Sequence, residues 1–204
     1  METSTQNIIS IIKESINKSI SYQAYRNLVS KLVEEKSTTG LEKTDALANY
    51  TMLNNKRMKR WDKTVKLSET LQNKIKNYDK EITLLVLTES WCGDAAHIIP
   101  VINKIAELNS NIKLELVFRD ENETLMNNFL TNGGKSIPKV IAFNKENVIN
   151  FTYGPRPTAA TQMVNDYKTE HGKLTPEFKE DLQHWYNKDK GQAILNDLEQ
   201  LLNL

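Results

Sequence analysis

Apolar positions in the first eighty residues recur at helical spacing. Ile8, Ile12, Ile16 and Ile20 fall every four residues, and Tyr22, Tyr25, Leu28 or Val29, and Leu32 repeat the rule. Leu47, Tyr50 and Leu53 lead on to Met58 and Trp61, and Leu67, Leu71, Ile75 and Tyr78 close the series. The pattern predicts four amphipathic helices. The glycine and small polar residues of "EKSTTGLEKT", Glu35 to Thr44, predict a loop between two of them.

Near residue 81 the period changes. "ITLLVLT", Ile82 to Thr88, is a continuous apolar, partly β-branched run that suits a strand buried on both faces. A helix is expected from about Asp94 to Asn109, with Ile98, Val101 or Ile102, and Ile105 turned inward. "IKLELVF", Ile112 to Phe118, alternates as a second strand, and "ETLMNNFL" reads as a short helix ended by Gly133-Gly134. "KVIAFN" and "VINFTY" predict two further strands joined by the turn "NKEN". Strand, helix, strand implies a parallel pair, and the closing hairpin is antiparallel, so the sheet is mixed and the class α/β. In the tail, Thr158 is expected to cap one helix and Thr175 another, with Pro176 at its first position. Leu195, Leu198 and Leu202 mark a last helix after Gly191. The expected organisation is a helical N-terminal extension over 1–80, packed on a sheet-containing domain with C-terminal helices over 81–204, together one compact unit.

Composition narrows the chemistry. A chain of 204 residues with net charge +1 is long enough for a substantial core and gives no electrostatic reason to expect a nucleic-acid partner. The basic stretch "NNKRMKRWDKTVK", Asn54 to Lys66, is a local exception, expected to be a solvated helix face. No apolar run approaches membrane-spanning length, and charged and polar residues interrupt the isoleucines of the N-terminus. With a single cysteine no internal disulfide forms, and a soluble protein of the reducing cytoplasm is expected. His171 and His184 have no cysteine or clustered carboxylates at ligand spacing, so neither a metal nor another cofactor is expected.

That one cysteine, Cys92, sits in "TESWCGDAAHIIP", where a strand ends and a helix begins. It is either a nucleophile or a small apolar residue. A sulfur at a helix N-terminus meets unsatisfied N–H groups and the positive end of the dipole, which lowers a thiol pKa from roughly 8.5. Gly93 permits a tight turn there, Trp91 can shield one side, and Pro100 should kink the helix.

"WCGDAAHIIPVINKIAEL" resembles the active-site helix of thioredoxin, with Trp91, Cys92, Gly93 and Pro100 in place. "SIPKVIAFNKENVINFTYG" resembles the same family's Ile–cis-Pro segment with its following hairpin and glycine. The resemblance spans roughly Glu81 to Gly154 and implies a thioredoxin-like mixed sheet flanked by helices. It implies Cys92 as the catalytic residue, a cis bond before Pro138 facing it, and a binding groove lined by Trp91, Gly93, Asp94, Ile137 and Pro138. The Ile137 backbone would pair there with an incoming peptide.

Three positions depart from the family. Ala95 replaces the resolving cysteine, Val86 replaces the buried acid, and Asp94 replaces the motif's proline. A carboxylate roughly 6 Å from the sulfur opposes the thiolate by about 0.7 to 2.8 kcal/mol. The helix terminus contributes about 0.3 to 2 kcal/mol the other way, so an ordinarily acidic thiol is expected. Cys92 should be at least partly exposed, facing Pro138 across a shallow groove. His97 is expected to be a packing residue, and Glu89 and Ser90 solvated loop polars. Two functions remain open. One is a monothiol thiol–disulfide oxidoreductase acting on a protein or low-molecular-weight thiol or disulfide, with an external thiol resolving the adduct. The other is a redox-inactive protein-binding module.

Overall fold

Ile82–Thr88 forms β1, and every residue in it except Thr83 is buried, as an unbroken apolar run requires. This central strand pairs in parallel with β2 (Ile112–Phe118) and antiparallel with β3 (Lys139–Asn144), and β4 (Ile149–Tyr153) pairs antiparallel with β3. The order is β2-β1-β3-β4, with Ile82 opposite Ile112 and Leu84 opposite Ala142. The mixed sheet expected from the element order is therefore present. The computed structural model describes residues 2–204, with side chains from Asn7 onward.

Four helices precede the sheet: α1 (Glu2–Ile16), α2 (Tyr22–Glu34), α3 (Asp45–Thr64) and α4 (Glu69–Lys76). The last three open on hydroxyl caps, with Ser21, Thr44 and Ser68 accepting from the N–H groups of Ala24, Leu47 and Leu71. Between α1 and α2, Ile20 and Leu116 exchange both backbone hydrogen bonds, at 2.9 and 3.0 Å, which covers part of the outer edge of β2. After β1 come α5 (Gly93–Ala106) and, beyond β2 and a 3-10 turn at Arg119–Glu121, α6 (Glu123–Asn128). The tail holds α7 (Thr158–His171), α8 (Pro176–Asp189) and α9 (Gln192–Leu202).

Three boundaries differ from expectation for reasons visible in the hydrogen bonding, and α6 also ends at Asn128, short of the expected Leu130. α5 stops at Ala106 because the Asn109 side chain leaves the helix to donate to the carbonyls of Ile75 and Tyr78, both at 2.7 Å. β4 begins at Ile149 because Val148 belongs to the turn, its N–H donating to the Asn144 side chain at 2.9 Å. Thr158 is not a cap. Pro157 holds that position, and the Thr158 N–H is satisfied by the Asp197 carboxylate of α9 at 2.7 Å. Thr175 does cap α8, accepting from the Phe178 N–H, with Pro176 at the first position.

α3 lies along α5, α2 packs on α3, α2 and α5 both meet β2, and α9 meets α5 and α7. One apolar core runs through these contacts, joining Tyr25, Met58 and Trp61 of the N-terminal helices to Leu84, Leu87, Ile98 and Ile102 and on to Tyr186 and Leu198 of the tail. The N-terminal end of α5 thus lies in the middle of the packing, with α3 on one flank and the tail helices on another.

Candidate functional site

The strand β1 delivers Cys92 to the N-cap position of α5, with φ −76° and ψ 114°, as the motif implies. Its N–H donates to the Glu89 carbonyl at 3.1 Å, and the N–H groups of Asp94 and Ala95 face the sulfur from the first turn. Across from it the Ile137–Pro138 bond is cis, and the thiol donates to the Ile137 carbonyl at 3.2 Å. A second cis bond joins Gly154 to Pro155, and Gly154 passes the Pro138 carbonyl so closely that a Cβ there would lie 2.2 Å from its oxygen.

The structure brings Cys92, Ile137 and Pro138 together, but without the expected exposure. Cys92 is only 8 % exposed, Ile137 7 %, and Pro138 is buried as well. Trp91, Gly93 and Asp94 keep intermediate exposure. Burial is the largest influence on the Cys92 thiol and pushes it up to about 12, with the Asp94 carboxylate adding to the rise. Arg156 and the Asp94 and Ala95 N–H groups act the other way and are outweighed. The expected balance between Asp94 and the helix terminus leaves out desolvation, which is the larger effect.

Three segments provide the cover. From the 35–44 loop, Gly40 (φ +88°) approaches so closely that a Cβ on it would sit 2.7 Å from Asp120 Oδ2 and 3.3 Å from Trp91 Nε1, and the Leu41 N–H donates to Asp120 Oδ2 at 3.1 Å. Arg119 lies over the Trp91 ring, with Cζ 5.0 Å from the centroid. From α3, Arg57 passes over Gly93, where a Cβ would lie 3.4 Å from Nη1. From the tail, Arg156 pairs with Asp94 Oδ2 at 2.8 Å, and the Tyr186 hydroxyl donates to Asp94 Oδ1 at 3.0 Å. Asp94 is therefore a partnered carboxylate joining the active-site turn to the tail.

Glu89 and Ser90, expected in solvent, are 0 % and 1 % exposed. The Glu89 carboxylate accepts from the Asp120 N–H at 3.0 Å, and burial raises its pKa. Ser90 Oγ lies within 3.2 Å of the hydroxyls of Thr38, Thr39 and Thr51, while its carbonyl accepts from Asn54 Nδ2 at 2.9 Å. These hydroxyls anchor the 35–44 loop and α3 to the end of β1. His97 is a packing residue at 1 % exposure. Its Nδ1 accepts from the Trp61 indole at 2.7 Å, so Nε2 carries the proton and donates to Gln183 Oε1, also at 2.7 Å. The ring stacks on Tyr186 at 4.2 Å, and burial holds its pKa down to about 3, so it is neutral.

Arg57, Arg156 and Tyr186 have no counterpart in the reading of the motif. They reach the turn from α3, from the segment after β4 and from α8, and no fixed spacing links them to residue 94. Among the described residues no group of three or more His, Cys, Asp or Glu side chains could hold a metal ion, and no helix is long and apolar enough to cross a membrane.

Two solved structures share the fold. A protein of unknown function from Pseudomonas aeruginosa has a TM-score of 0.58 and 16% identity over 76% of this chain and 90% of its own. An HIV epitope-scaffold has a TM-score of 0.58 and 15% identity over 90% of this chain and 98% of its own. No curated protein matches. A family model described as thioredoxin matches residues 40–168, which take in α3, the covered cysteine turn, the cis-Pro segment and most of α7. The chain belongs to the thioredoxin family.

Proposed function

We propose that this protein is a redox-inactive, thioredoxin-fold module that binds a polypeptide partner and holds its one cysteine as a neutral thiol. The observation that carries the reading is the state of Cys92: 8 % exposed, donating to the Ile137 carbonyl at 3.2 Å, with its pKa raised to about 12. The thiolate is the species that attacks a disulfide, and burial disfavours it. Ala95 supplies no second thiol to release a mixed disulfide. A reducing compartment such as the cytoplasm suits a lone thiol kept in this form.

Orientation of the sulfur favours a second reading. Cys92 still faces Pro138, with the Asp94 and Ala95 N–H groups directed at it. Monothiol exchange with a protein or low-molecular-weight disulfide, resolved by an external thiol, would follow whenever the cover opens.

Mixed-disulfide formation separates the two. The folded protein is mixed with a small aromatic disulfide reagent at neutral pH, and release of the leaving thiol is compared with that from urea-unfolded protein. The module reading expects the folded protein to react at least tenfold more slowly. Reaction as fast as in the unfolded chain overturns it in favour of monothiol exchange.

A further inference from the structure

We propose that the corner formed by α3, α8 and α9 is a binding site for a small phosphorylated ligand carrying at least two negative charges. The site is separate from Cys92. A cavity of about 620 Å³ opens at this corner, lined by Arg60 and Lys66 from α3 and just beyond it, and by Lys188, Asp189 and Lys190 from the end of α8. Its size falls within the usual range for small-molecule sites.

The charge inside it is unbalanced. Among the described residues, none of the four cations lies within ion-pair distance of a carboxylate. The lone acid in the lining, Asp189, accepts from the Ala193 N–H through both oxygens at 3.1–3.2 Å in the first turn of α9, so four cations face one carboxylate that is held by a backbone amide. Apart from the half-buried Arg57, the cations of the basic stretch 54–66 face solvent, Arg60 and Lys66 included, as expected of a solvated helix face, and the fold sets those two opposite Lys188 and Lys190, more than a hundred residues away and also exposed.

The site is also held in shape. Arg60, itself exposed, donates to the Asn187 side chain and lies over the Trp61 ring, with Cζ 5.5 Å from the centroid, which places its guanidinium at the cavity wall. Gly191 (φ +81°) brings the α8–α9 corner against α3 so closely that a Cβ would lie 3.3 Å from Trp61 Cζ3 and 3.1 Å from Val101 Cγ2. Lys190 itself adopts φ 56°, in the left-handed region that lysine rarely occupies. A planar guanidinium and mobile ammonium groups around one cavity match the oxygens of a phosphate or pyrophosphate group, which take charge-assisted hydrogen bonds from several donors at once.

Pyrophosphate is the minimal probe. Isothermal titration at constant ionic strength should show one site per chain. Amide chemical-shift changes should be confined to the second half of α3, Lys66 and residues 187–193. Lys188→Gln combined with Lys190→Asn, the latter chosen because asparagine tolerates positive φ, should fold normally and weaken binding by about tenfold or more. Absence of binding at millimolar pyrophosphate overturns the proposal. So does binding that the double variant leaves unchanged, binding that chloride reproduces at equal ionic strength, or binding of an oligonucleotide without binding of pyrophosphate.

Discussion

Alkylation of Cys92 as a function of pH tests the central physical claim about this site. An ordinary thiol with a pKa near 9 is about one-eleventh ionised at pH 8, whereas one raised to about 12 is ionised to about one part in ten thousand. The reactive fraction therefore falls by roughly 900-fold. A more basic thiolate is a better nucleophile, and a Brønsted coefficient of about 0.4–0.5 over three pH units returns a factor of roughly 16 to 32. Net slowing at pH 8 is about 30- to 60-fold before any steric exclusion at a side chain that is 8 % exposed. The assay is iodoacetamide labelling under native conditions, followed by mass spectrometry, with the urea-unfolded chain as reference. Between pH 7 and 11 the folded rate should climb about tenfold per pH unit without levelling. The same linkage acts on stability. From about pH 9 to about 12 the folded state keeps a proton that the unfolded chain releases, so stability is fully present below 9 and is lost as pH rises through 12, by about 4 kcal/mol in all. Cys92→Ser should remove the part of the alkaline slope that begins near pH 9, leaving the part that begins above pH 10, where burial holds Tyr22, Tyr25, Tyr153 and Tyr186 protonated in the folded state. A labelling profile that levels off at or below pH 9 refutes the claim that burial governs this thiol.

Acid should destabilise the fold through His97, whose depressed pKa of about 3 means that the unfolded imidazole takes a proton between about pH 6.5 and 3 that the folded one refuses. The unfolding free energy from urea denaturation should fall with pH across that window, by about 5 kcal/mol from this group if it is fully traversed, and His97→Gln should flatten the fall. Asp94→Asn removes the carboxylate that opposes the thiolate and leaves Arg156 in place, so the alkylation profile should move down by about half to two pH units. Its thermal midpoint should also drop, because the Arg156 pair is lost; a profile that stays in place would show that Asp94 has no electrostatic hold on the sulfur. Gly154→Ala should destabilise by roughly 2–4 kcal/mol in chemical denaturation, since its Cβ would meet the Pro138 oxygen at 2.2 Å and φ there is +100°.

Much of the fold was legible because its signals are local. Four helices before residue 81, β1 and β2 at their observed bounds, and the hairpin after Pro138 follow from periods of 3.6 and 2 that a short window contains. Two of the errors fall where a distant group settles a boundary. Thr158 has the residue type of a cap, but Asp197, thirty-nine residues on, satisfies its N–H. Asn109 could continue a helix, but the carbonyls of Ile75 and Tyr78 claim its side chain. Neither competitor leaves a mark on the local pattern.

At the site the division lies between orientation and ionisation. "WCGDA" and "SIP" specify a cap position and a cis-Pro loop, and the structure places Cys92 against Ile137 accordingly. Whether the sulfur carries charge depends on how much of its surroundings is water, and the segments packed on the neighbouring residues Trp91, Gly93 and Asp94, among them the 35–44 loop, α3 and the tail, stand at no fixed spacing from residue 92. A helix terminus offers a thiolate about 2 kcal/mol at most. Burial, with the Asp94 carboxylate adding to it, moves this thiol from 9 to about 12 and costs the charged form about 4 kcal/mol even after that contribution is counted. The same motif can therefore present a thiolate in an open fold and a neutral thiol in a covered one. In this chain Asp94 acts on both sides: it adds to the rise at the sulfur and, through Arg156 and Tyr186, joins the tail to the turn that carries the sulfur.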